Sequence, residues 1–294
     1  MLILISDAFD SSLEGKLAKF GEVTTDKARL SGADVVLVRS KTKCTKEYIN
    51  SAPNLKLIVR GGVGTDNIDK EYCAEKGIVV NNTPKSPSIA VAELAFAMML
   101  AVPNHIVKAN ESMRAGQWLK KELKRTELNG KTLGLVGIGH IAQAVATRAK
   151  AFGMNVIAFD KYVENSPLAE MKSSLEEMVA DCDYISLHVP LTDETMHMIN
   201  RDLIAKMKNG VIIINTSRGR TVDSTDMIAA LESGKVAAYA TDVWPTDPPE
   251  ADYPLLKAPN LFMSPHLGAS SKENLLRIGD EVCERIETFL GGNA

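Results

Sequence analysis

The segment from Leu133 to Asp160, LGLVGIGHIAQAVATRAKAFGMNVIAFD, decides the fold. A short apolar run leads into Gly137, Gly139 and Ala142, a stretch with helical periodicity follows, and a second apolar run ends at Asp160. This order of strand, small-residue turn, helix, strand and acidic residue is typical of a dinucleotide-binding βαβ unit. The segment therefore predicts a Rossmann domain.

Each position of the turn has a physical task. Gly137 permits the tight turn, Gly139 leaves room for backbone to approach a pyrophosphate, and Ala142 is small enough for the helix to pack closely on the strand. The N–H groups at the start of the helix, around His140 and Ile141, point to the same phosphates. We expect the turn to hold the pyrophosphate of the cofactor.

The acidic residue at the end of the second strand indicates which cofactor binds. Asp160 would accept hydrogen bonds from the adenosine ribose hydroxyls and would repel a 2′-phosphate, so the sequence predicts NAD rather than NADP. Lys161 follows it directly and is interpreted as a solvated loop lysine.

Short apolar runs alternate with helix-period segments along the whole chain, which predicts the α/β class with parallel sheets. Five strands are expected before residue 100: Leu2 to Ser6, Gly21 to Thr24, Val35 to Arg39, Leu57 to Arg60 and Ile78 to Asn81. Six more are expected after residue 130: Leu133 to Val136, Val156 to Phe159, Tyr184 to His188, Val211 to Asn215, Val236 to Ala240 and Leu261 to Met263. The two series predict two doubly wound domains.

Two helical segments lie outside the two series of strands. Ser88 to Val102 lies between the two series. Lys272 to Leu290 follows the second series, and no strand of that series comes after it, so we place this helix on the first domain. The expected organisation is a Rossmann domain (98–267) inserted in a flavodoxin-like substrate domain (1–97 and 268–294), with a cleft between them.

Composition excludes several classes. The 294 residues include 34 Lys and Arg against 37 Asp and Glu, with 45% hydrophobic residues, so neither disorder nor binding of nucleic acid or an anionic membrane is expected. The most apolar stretch, Ile89 to Val102, is too short to span a membrane and contains Glu93. Four dispersed cysteines without a CxxC pair, and no HExxH pattern, indicate no metal site and a cytoplasmic location.

Hydride transfer from an alcohol needs a base and a cation near the nicotinamide. Arg218 follows a predicted strand in NTSRGR, where a guanidinium can pair with a carboxylate, and Arg220 competes with it. His266 follows the last predicted strand in SPHLG and is the candidate base. A carboxylate should orient it. The spacing does not choose among three candidate carboxylates, Asp242, Asp247 and Glu250.

These segments occur in a familiar order. RGGVGTDNID (60–69), VAELAFAMML, GIGHIA, HVPLT, NTSRGRTVD, DVWPTDPP and SPHLGASS together resemble the D-isomer-specific 2-hydroxyacid dehydrogenases over essentially the whole chain. The resemblance implies Arg218, His266 and Asp247 as the catalytic residues. Asp247 replaces the glutamate usual in the family and is one carbon shorter, which leaves Glu250 as an alternative.

The resemblance also implies binding residues. Backbone N–H groups around Gly62 and Val63 would hold the substrate carboxylate. Arg39, Arg60 and the segment WLKKELKRTELNGK resemble phosphate-handling positions, although a solvated basic helix explains the basic residues of that segment equally well. The cofactor would additionally contact the following residues: His188, Val189, Pro190, Thr216, Ser217, Asp242 and Gly268.

The expected function is hydride transfer between NAD and a D-2-hydroxyacid, most specifically oxidation of 3-phospho-D-glycerate to 3-phosphohydroxypyruvate at the start of serine biosynthesis. A glyoxylate or hydroxypyruvate reductase and a non-catalytic NAD(H)-sensing protein are the alternatives. The resemblance further implies a homodimer and a short form without a C-terminal regulatory domain.

Overall fold

The computed structural model describes residues 1–291, and the chain forms two compact units. Unit 1 contains residues 1–90 and the segment that begins at Ala269, whereas unit 2 is the continuous stretch Val91–Gly268. Each unit is built on one sheet whose paired strands are all parallel. The predicted α/β class with two doubly wound sheets is confirmed.

The sheet of unit 1 has five strands in the order β2-β1-β3-β4-β5, the flavodoxin-like order. Its strands are β1 (Leu2–Ile5), β2 (Glu22–Thr24), β3 (Val35–Val38), β4 (Leu57–Arg60) and β5 (Val79–Asn82). Its first helices are α1 (Leu13–Leu17), α2 (Lys46–Asn50) and α3 (Lys70–Glu75), with a 3₁₀ turn at Lys27–Gly32. All four residues of β3 are buried, as expected for a central strand covered on both faces.

Helix α4 (Ser88–Ala101) begins in unit 1 and continues in unit 2. The units divide after Ala90 and after Gly268, whereas the sequence placed the boundaries after residues 97 and 267. Ala92, Ala95 and Met99 of α4 are fully buried in the core of unit 2. This core therefore includes most of α4.

Unit 2 contains a seven-stranded sheet in the order β12-β11-β10-β9-β6-β7-β8. Its strands are β6 (Thr132–Val136), β7 (Asn155–Phe159), β8 (Glu170–Met171), β9 (Tyr184–Leu187), β10 (Val211–Asn215), β11 (Val236–Thr241) and β12 (Leu261–Met263). Its further helices are α5 (Ile106–Arg114), α6 (His140–Ala151), α7 (Leu175–Ala180), α8 (Arg201–Lys206) and α9 (Ser224–Glu232), with 3₁₀ turns at Gly219–Thr221 and Pro254–Lys257. The order of β6 to β11 is that of a Rossmann sheet.

Every predicted strand is present, with ends that differ by no more than one residue. The six-strand prediction missed β8, which has only two residues, Glu170 and Met171, and thus no apolar run. The interpretation of the segment around Lys120 and Lys124 as a basic helix is wrong, because residues 115–131 contain only turns and irregular backbone. Gly116, with a φ of 73°, follows the end of α5 in a left-handed conformation.

Length and hydropathy decide whether a helix within residues 1–291 could span a membrane. No single helix there is long and apolar enough to cross a membrane, and α4 and α5 reach that length only together, with a bend of 61° between them.

Helix α10 (Lys272–Gly291) belongs to unit 1. Ile278, Val282 and Ile286 are fully buried in one cluster with Ile3 and Leu37 of the sheet. Burial of side chains of this size contributes about 2 kcal/mol each. The last helix therefore supplies one wall of the unit 1 core.

Candidate active site

The turn between β6 and α6 has the geometry of an anion site. Gly137 has a φ of 87°, and a β-carbon placed on it would lie 2.9 Å from the carbonyl oxygen of His188. Gly139 precedes α6 without a side chain to cap the helix, and a β-carbon added there would meet no atom within 4 Å. The space at the first turn of α6 is therefore open, and the turn fits a pyrophosphate.

The carboxylate of Asp160 is fixed against this turn. It accepts hydrogen bonds from the backbone N–H groups of Ile138 and Tyr162, both at 2.9 Å. The neighbouring Lys161 pairs with Glu194 at 2.5 Å, and both side chains are more than half exposed. This geometry agrees with the interpretation of Lys161 as a solvated loop lysine.

His188 follows β9, the strand beside β6, and its N–H donates to the carbonyl of Val136 at 2.9 Å. Its Nε2 lies 2.9 Å from the hydroxyl of Ser186, which is fully buried. Burial of the ring lowers the pKa of His188 to about 4. The ring is therefore neutral at pH 7, where it lines the same edge of the sheet as the phosphate turn.

The residue that organises the end of β10 is Asn215, which is fully buried. Its Oδ1 accepts from the N–H and the hydroxyl of Ser217 at 2.9 and 2.8 Å, and its Nδ2 donates to the carbonyl of Arg218 at 2.9 Å and to the hydroxyl of Tyr239 at 3.1 Å. The hydroxyl of Thr216 beside it is buried without a hydrogen-bond partner in residues 1–291. An orphaned hydroxyl at this edge suits a polar group of a bound nucleotide.

Arg218 is held at the start of the following turn, where its Nη1 donates to the carbonyl of Ser217 at 2.6 Å. The next residue, Gly219, lies against a second loop. A β-carbon on Gly219 would come within 2.3 Å of the carbonyl carbon of Trp244 and 2.6 Å of the nitrogen of Pro245. The loop with Arg218 and the loop that leads to Asp247 are thus in direct backbone contact.

Asp242, at the end of β11, is buried to 1% exposure and holds the loop of His266. Its carboxylate accepts from the hydroxyl of Ser264 and from the N–H groups of Leu267 and Gly268, at 2.7 and 2.8 Å for the two backbone bonds. Asp242 is one of the three carboxylates considered as a partner for the imidazole. It instead fixes the backbone that follows His266 and the side chain of Ser264 before it.

The imidazole of His266 has a carboxylate partner. Its Nδ1 is hydrogen-bonded to Oδ2 of Asp247, and both side chains are about 40% exposed, with 36% for His266 and 43% for Asp247. The backbone of His266 has a φ of 54°, an uncommon conformation for a residue with a side chain. Of the three open carboxylates, Asp247 is the one that contacts the imidazole, so the shorter side chain reaches it.

These groups share one edge of the unit 2 sheet. The strands β10, β11 and β12 are neighbours and parallel, so the residues after them emerge side by side. Arg218 follows β10, Asp242 follows β11 and His266 follows β12. Ligands of open α/β sheets bind at this carboxyl edge.

The predicted substrate residues lie in unit 1: Arg39 directly follows β3, Arg60 is the last residue of β4, and Gly62 and Val63 come after it. Arg39 is half-buried, and burial lowers the pKa of its guanidinium while Asp7 opposes that change. The side chain of Arg60 lies over Gly62, because a β-carbon there would fall 1.4 Å from its Nη1. The N–H of Gly62 donates to the hydroxyl of Thr83 at 2.7 Å, so carboxylate binding by Gly62 and by Val63, which is 39% exposed, stays a prediction.

Sequence reasoning missed three residues that support the site. Asn215 was interpreted only as the end of a strand, and Gly219 and Ser264 only as parts of motifs. A polar residue that ends an otherwise apolar run, as Asn215 does after VIII, was the available signal. Contacts such as that of Gly219 with Trp244 have no local signal.

Comparison with known proteins identifies the family. Residues 96–268 match the model described as D-isomer specific 2-hydroxyacid dehydrogenase, NAD binding domain. Hydroxypyruvate reductase of Thermotoga maritima is 48% identical over 260 residues, which cover 88% of this chain and 85% of that protein. D-3-phosphoglycerate dehydrogenase of Methanocaldococcus jannaschii is 43% identical over 302 residues, 99% of this chain but only 57% of that protein.

Solved structures agree with this result. D-lactate dehydrogenase from Aquifex aeolicus, complexed with NAD and lactic acid, has a TM-score of 0.88 at 30% identity and matches 100% of this chain and 96% of that one. The similarity therefore covers both units, each with its own sheet.

Proposed function

Because the chain belongs to the D-isomer-specific 2-hydroxyacid dehydrogenase family, we propose that it transfers hydride between NAD and 3-phospho-D-glycerate, with 3-phosphohydroxypyruvate as the oxidised partner. The enzyme class and the NAD cofactor expected from the sequence are confirmed by the family. The substrate is the new element of the proposal, and it places the reaction at the start of serine biosynthesis.

The choice of substrate rests on the burial and the hydrogen-bond partners of Arg39. Its guanidinium is half-buried at the carboxyl end of β3, where its side-chain partners are carbonyl oxygens, and its Nε has no partner in the described part of the chain. A half-buried guanidinium whose side-chain hydrogen bonds within residues 1–291 go to carbonyl groups favours an anionic ligand, and its fork matches a phosphate. Arg60 ends the adjacent strand, opposite Val38.

The residues of unit 2 supply the chemistry of the proposed reaction. Bound NAD⁺ supplies an acceptor for the hydride that leaves C2 of the hydroxyacid. Arg218 pairs with the substrate carboxylate. The Nε2 atom of neutral His266 takes the hydroxyl proton, and Asp247 holds the Nδ1 proton and stabilises the imidazolium that forms.

Two buried residues keep these groups in place. Asp242 fixes the backbone that follows His266, and Asn215 fixes the carbonyl of Arg218. Neither residue needs to touch the substrate for this task. Small displacements of catalytic groups are costly, about 100-fold for 1 Å, so we expect both to be important for kcat.

A hydroxypyruvate reductase is the second candidate, and the 48% identity to the Thermotoga maritima enzyme favours it. The two functions differ in one group, the phosphate on C3 of the substrate. The decisive experiment therefore measures kcat/KM with NADH for 3-phosphohydroxypyruvate, hydroxypyruvate and glyoxylate.

The proposal requires 3-phosphohydroxypyruvate to exceed hydroxypyruvate by at least about tenfold in kcat/KM, the effect of one charge-assisted contact. Equal or higher values for hydroxypyruvate would favour the reductase instead. Binding of NADH without turnover of any 2-oxoacid would indicate a sensing protein. The homodimer and the cytoplasmic location stay predictions.

A further inference from the structure

The guanidinium of Arg39 has donors that make no hydrogen bond within residues 1–291. Its Nη2 donates to the carbonyl of Ala269 at 3.3 Å, and its Nη1 donates to the carbonyl of Ala8 at 3.4 Å, which are both long contacts. The Nε is buried without a partner within residues 1–291. A guanidinium has five N–H donors, so the edge that includes Nε remains for a ligand.

The backbone that carries Arg39 is held firmly. Its N–H donates to Oδ2 of Asp7 at 2.6 Å, and its carbonyl accepts from Nδ2 of Asn67 at 2.8 Å. The direction of the long side chain is set separately, because rotation about its own bonds is independent of these two contacts. Within residues 1–291, the far end of the side chain is hydrogen-bonded to the carbonyl groups of Ala8 and Ala269.

The carbonyl of Ala269 has a second donor, Nδ2 of Asn274, at 2.9 Å. Asn274 lies in the first turn of α10 and is fully buried, and its Oδ1 has no partner in the part of the chain that the structure describes. A buried acceptor without a partner destabilises a fold. Leucine or alanine would also suit a helix better, so the fold alone does not explain an asparagine at this position.

Capping of α10 does not explain it either. The hydroxyl of Ser271 already accepts the N–H of Asn274 at 3.1 Å, which is the usual contact of a helix N-cap residue. The side-chain amide of Asn274 acts instead on the backbone carbonyl that Arg39 uses.

We propose that Asn274 is a positioning residue for Arg39 and thereby determines the preference for phosphorylated over unphosphorylated substrates. Asn274 fixes the oxygen of Ala269, and this oxygen orients the guanidinium so that its Nε edge faces the phosphate. Two parallel N–H···O bonds to a phosphate require such a fixed orientation. The inference rests on the proposed function, since it explains how the proposed phosphate contact is made.

A double-mutant cycle tests the inference. Four proteins are compared: the parent, Asn274→Ala, Arg39→Ala and the double variant. For each, kcat and KM are measured with NADH for 3-phosphohydroxypyruvate and for hydroxypyruvate. We expect Asn274→Ala to lower kcat/KM about tenfold for the phosphorylated substrate, mainly through KM, and no more than about twofold for hydroxypyruvate.

Coupling between the two residues is the second readout. In the Arg39→Ala background, Asn274→Ala should have no further effect on the ratio of the two substrates, because the guanidinium that it positions is gone. Asn274→Asp should reduce the ratio of kcat/KM for the phosphorylated to that for the unphosphorylated substrate more than Asn274→Ala does. The reason is that a carboxylate beside the guanidinium competes with the phosphate.

Ile278→Val is the matched control in the same helix. Ile278 is fully buried in α10, so its truncation weakens the packing of the helix and leaves the Ala269 carbonyl contacts intact. The ratio of kcat/KM for 3-phosphohydroxypyruvate to that for hydroxypyruvate should match the ratio of the parent.

The outcomes separate the two ideas. A parent that prefers the phosphorylated substrate and an Asn274→Ala variant that keeps this preference would overturn the positioning role and leave the proposed function intact. Equal losses for both substrates, or additive effects with Arg39→Ala, would show a merely structural role. A parent without any preference would overturn the proposed function, and the inference with it.

Discussion

Gly219 packs against the backbone of Trp244 so closely that a β-carbon would lie 2.3 Å from the Trp244 carbonyl carbon. This contact joins the loop of Arg218 to the loop that continues to Asp247. The two loops are far apart in sequence, and both carry proposed catalytic side chains. The spacing between these side chains therefore depends on a residue with no functional group of its own.

Gly219→Ala should lower kcat by about 100-fold, because the added methyl must push one of the two loops away. Steady-state kinetics with NADH and the preferred 2-oxoacid measure the effect. Gly15→Ala is the control, since a β-carbon there meets no atom within 4 Å and Gly15 lies in α1. A Gly219→Ala enzyme with parental kcat would contradict the proposed coupling of the loops.

Asp247→Asn should lower kcat by at least about tenfold, because an amide no longer stabilises the imidazolium of His266. Steady-state kinetics of hydroxyacid oxidation by the parent and the variant measure the loss. An Asp247→Asn enzyme with parental kcat would remove Asp247 from the mechanism.

Asp247→Glu restores the residue usual in the family, yet we expect no gain in kcat. The aspartate already contacts Nδ1 of His266, so an extra methylene must displace the loop or the imidazole. The measurement is kcat with the preferred substrate, and a rise above the parental value would show that the loop is placed for the longer side chain.

His188 should make the protein less stable at mildly acidic pH. Burial lowers the pKa of this ring to about 4, below the ordinary value of about 6.5 for an unfolded chain. The unfolded state therefore binds more protons between these pH values, and stability that is present above pH ~6.5 is lost as the pH falls toward 4. The linkage amounts to about 2 kcal/mol between pH 7 and pH 5.

Urea unfolding of the parent and of His188→Gln at both pH values measures this loss. The variant should lose about 2 kcal/mol less than the parent on acidification, whatever its stability at pH 7. His140→Gln serves as the control, because His140 is exposed and should keep the parental difference. Equal losses in all three proteins would exclude a neutral, buried His188.

Asp160→Ser should shift cofactor preference toward NADPH by at least about tenfold, because the carboxylate that repels a 2′-phosphate is removed. The measurement is the ratio of kcat/KM for NADH to that for NADPH with one 2-oxoacid. Lys161→Ala is the matched control, since Lys161 pairs with Glu194, and its ratio should stay within about twofold of the parent. An unchanged ratio in Asp160→Ser would refute the role of Asp160.

Sequence reasoning succeeded where the signal is local. The turn from Gly137 to Ala142 was predictable because the small residues, the flanking apolar runs and Asp160 all lie within one continuous segment of the sequence. The central strands were predictable because continuous apolar runs are buried on both faces. β8 was missed because Glu170 and Met171 are too few to form a pattern.

The rest depends on contacts between distant segments. Spacing alone left the partner of His266 open, and only the folded loop decides for Asp247 over Glu250. The roles of Asp242 and Asn215 likewise depend on loops that only the fold places around them. The helix considered for the segment around Lys120 is wrong: residues 115–131 form turns and irregular backbone, although Leu119 and Leu123 have helical spacing.

The place of α10 in the unit 1 core has a consequence during synthesis on the ribosome. Ile3 and Leu37 emerge early, but their partners Ile278 and Ile286 follow only after the whole of unit 2 has been translated. Unit 2 is continuous and can complete its core first. Until then, part of one apolar face of the nascent first sheet lacks its cover, and exposed apolar surface of this kind favours aggregation.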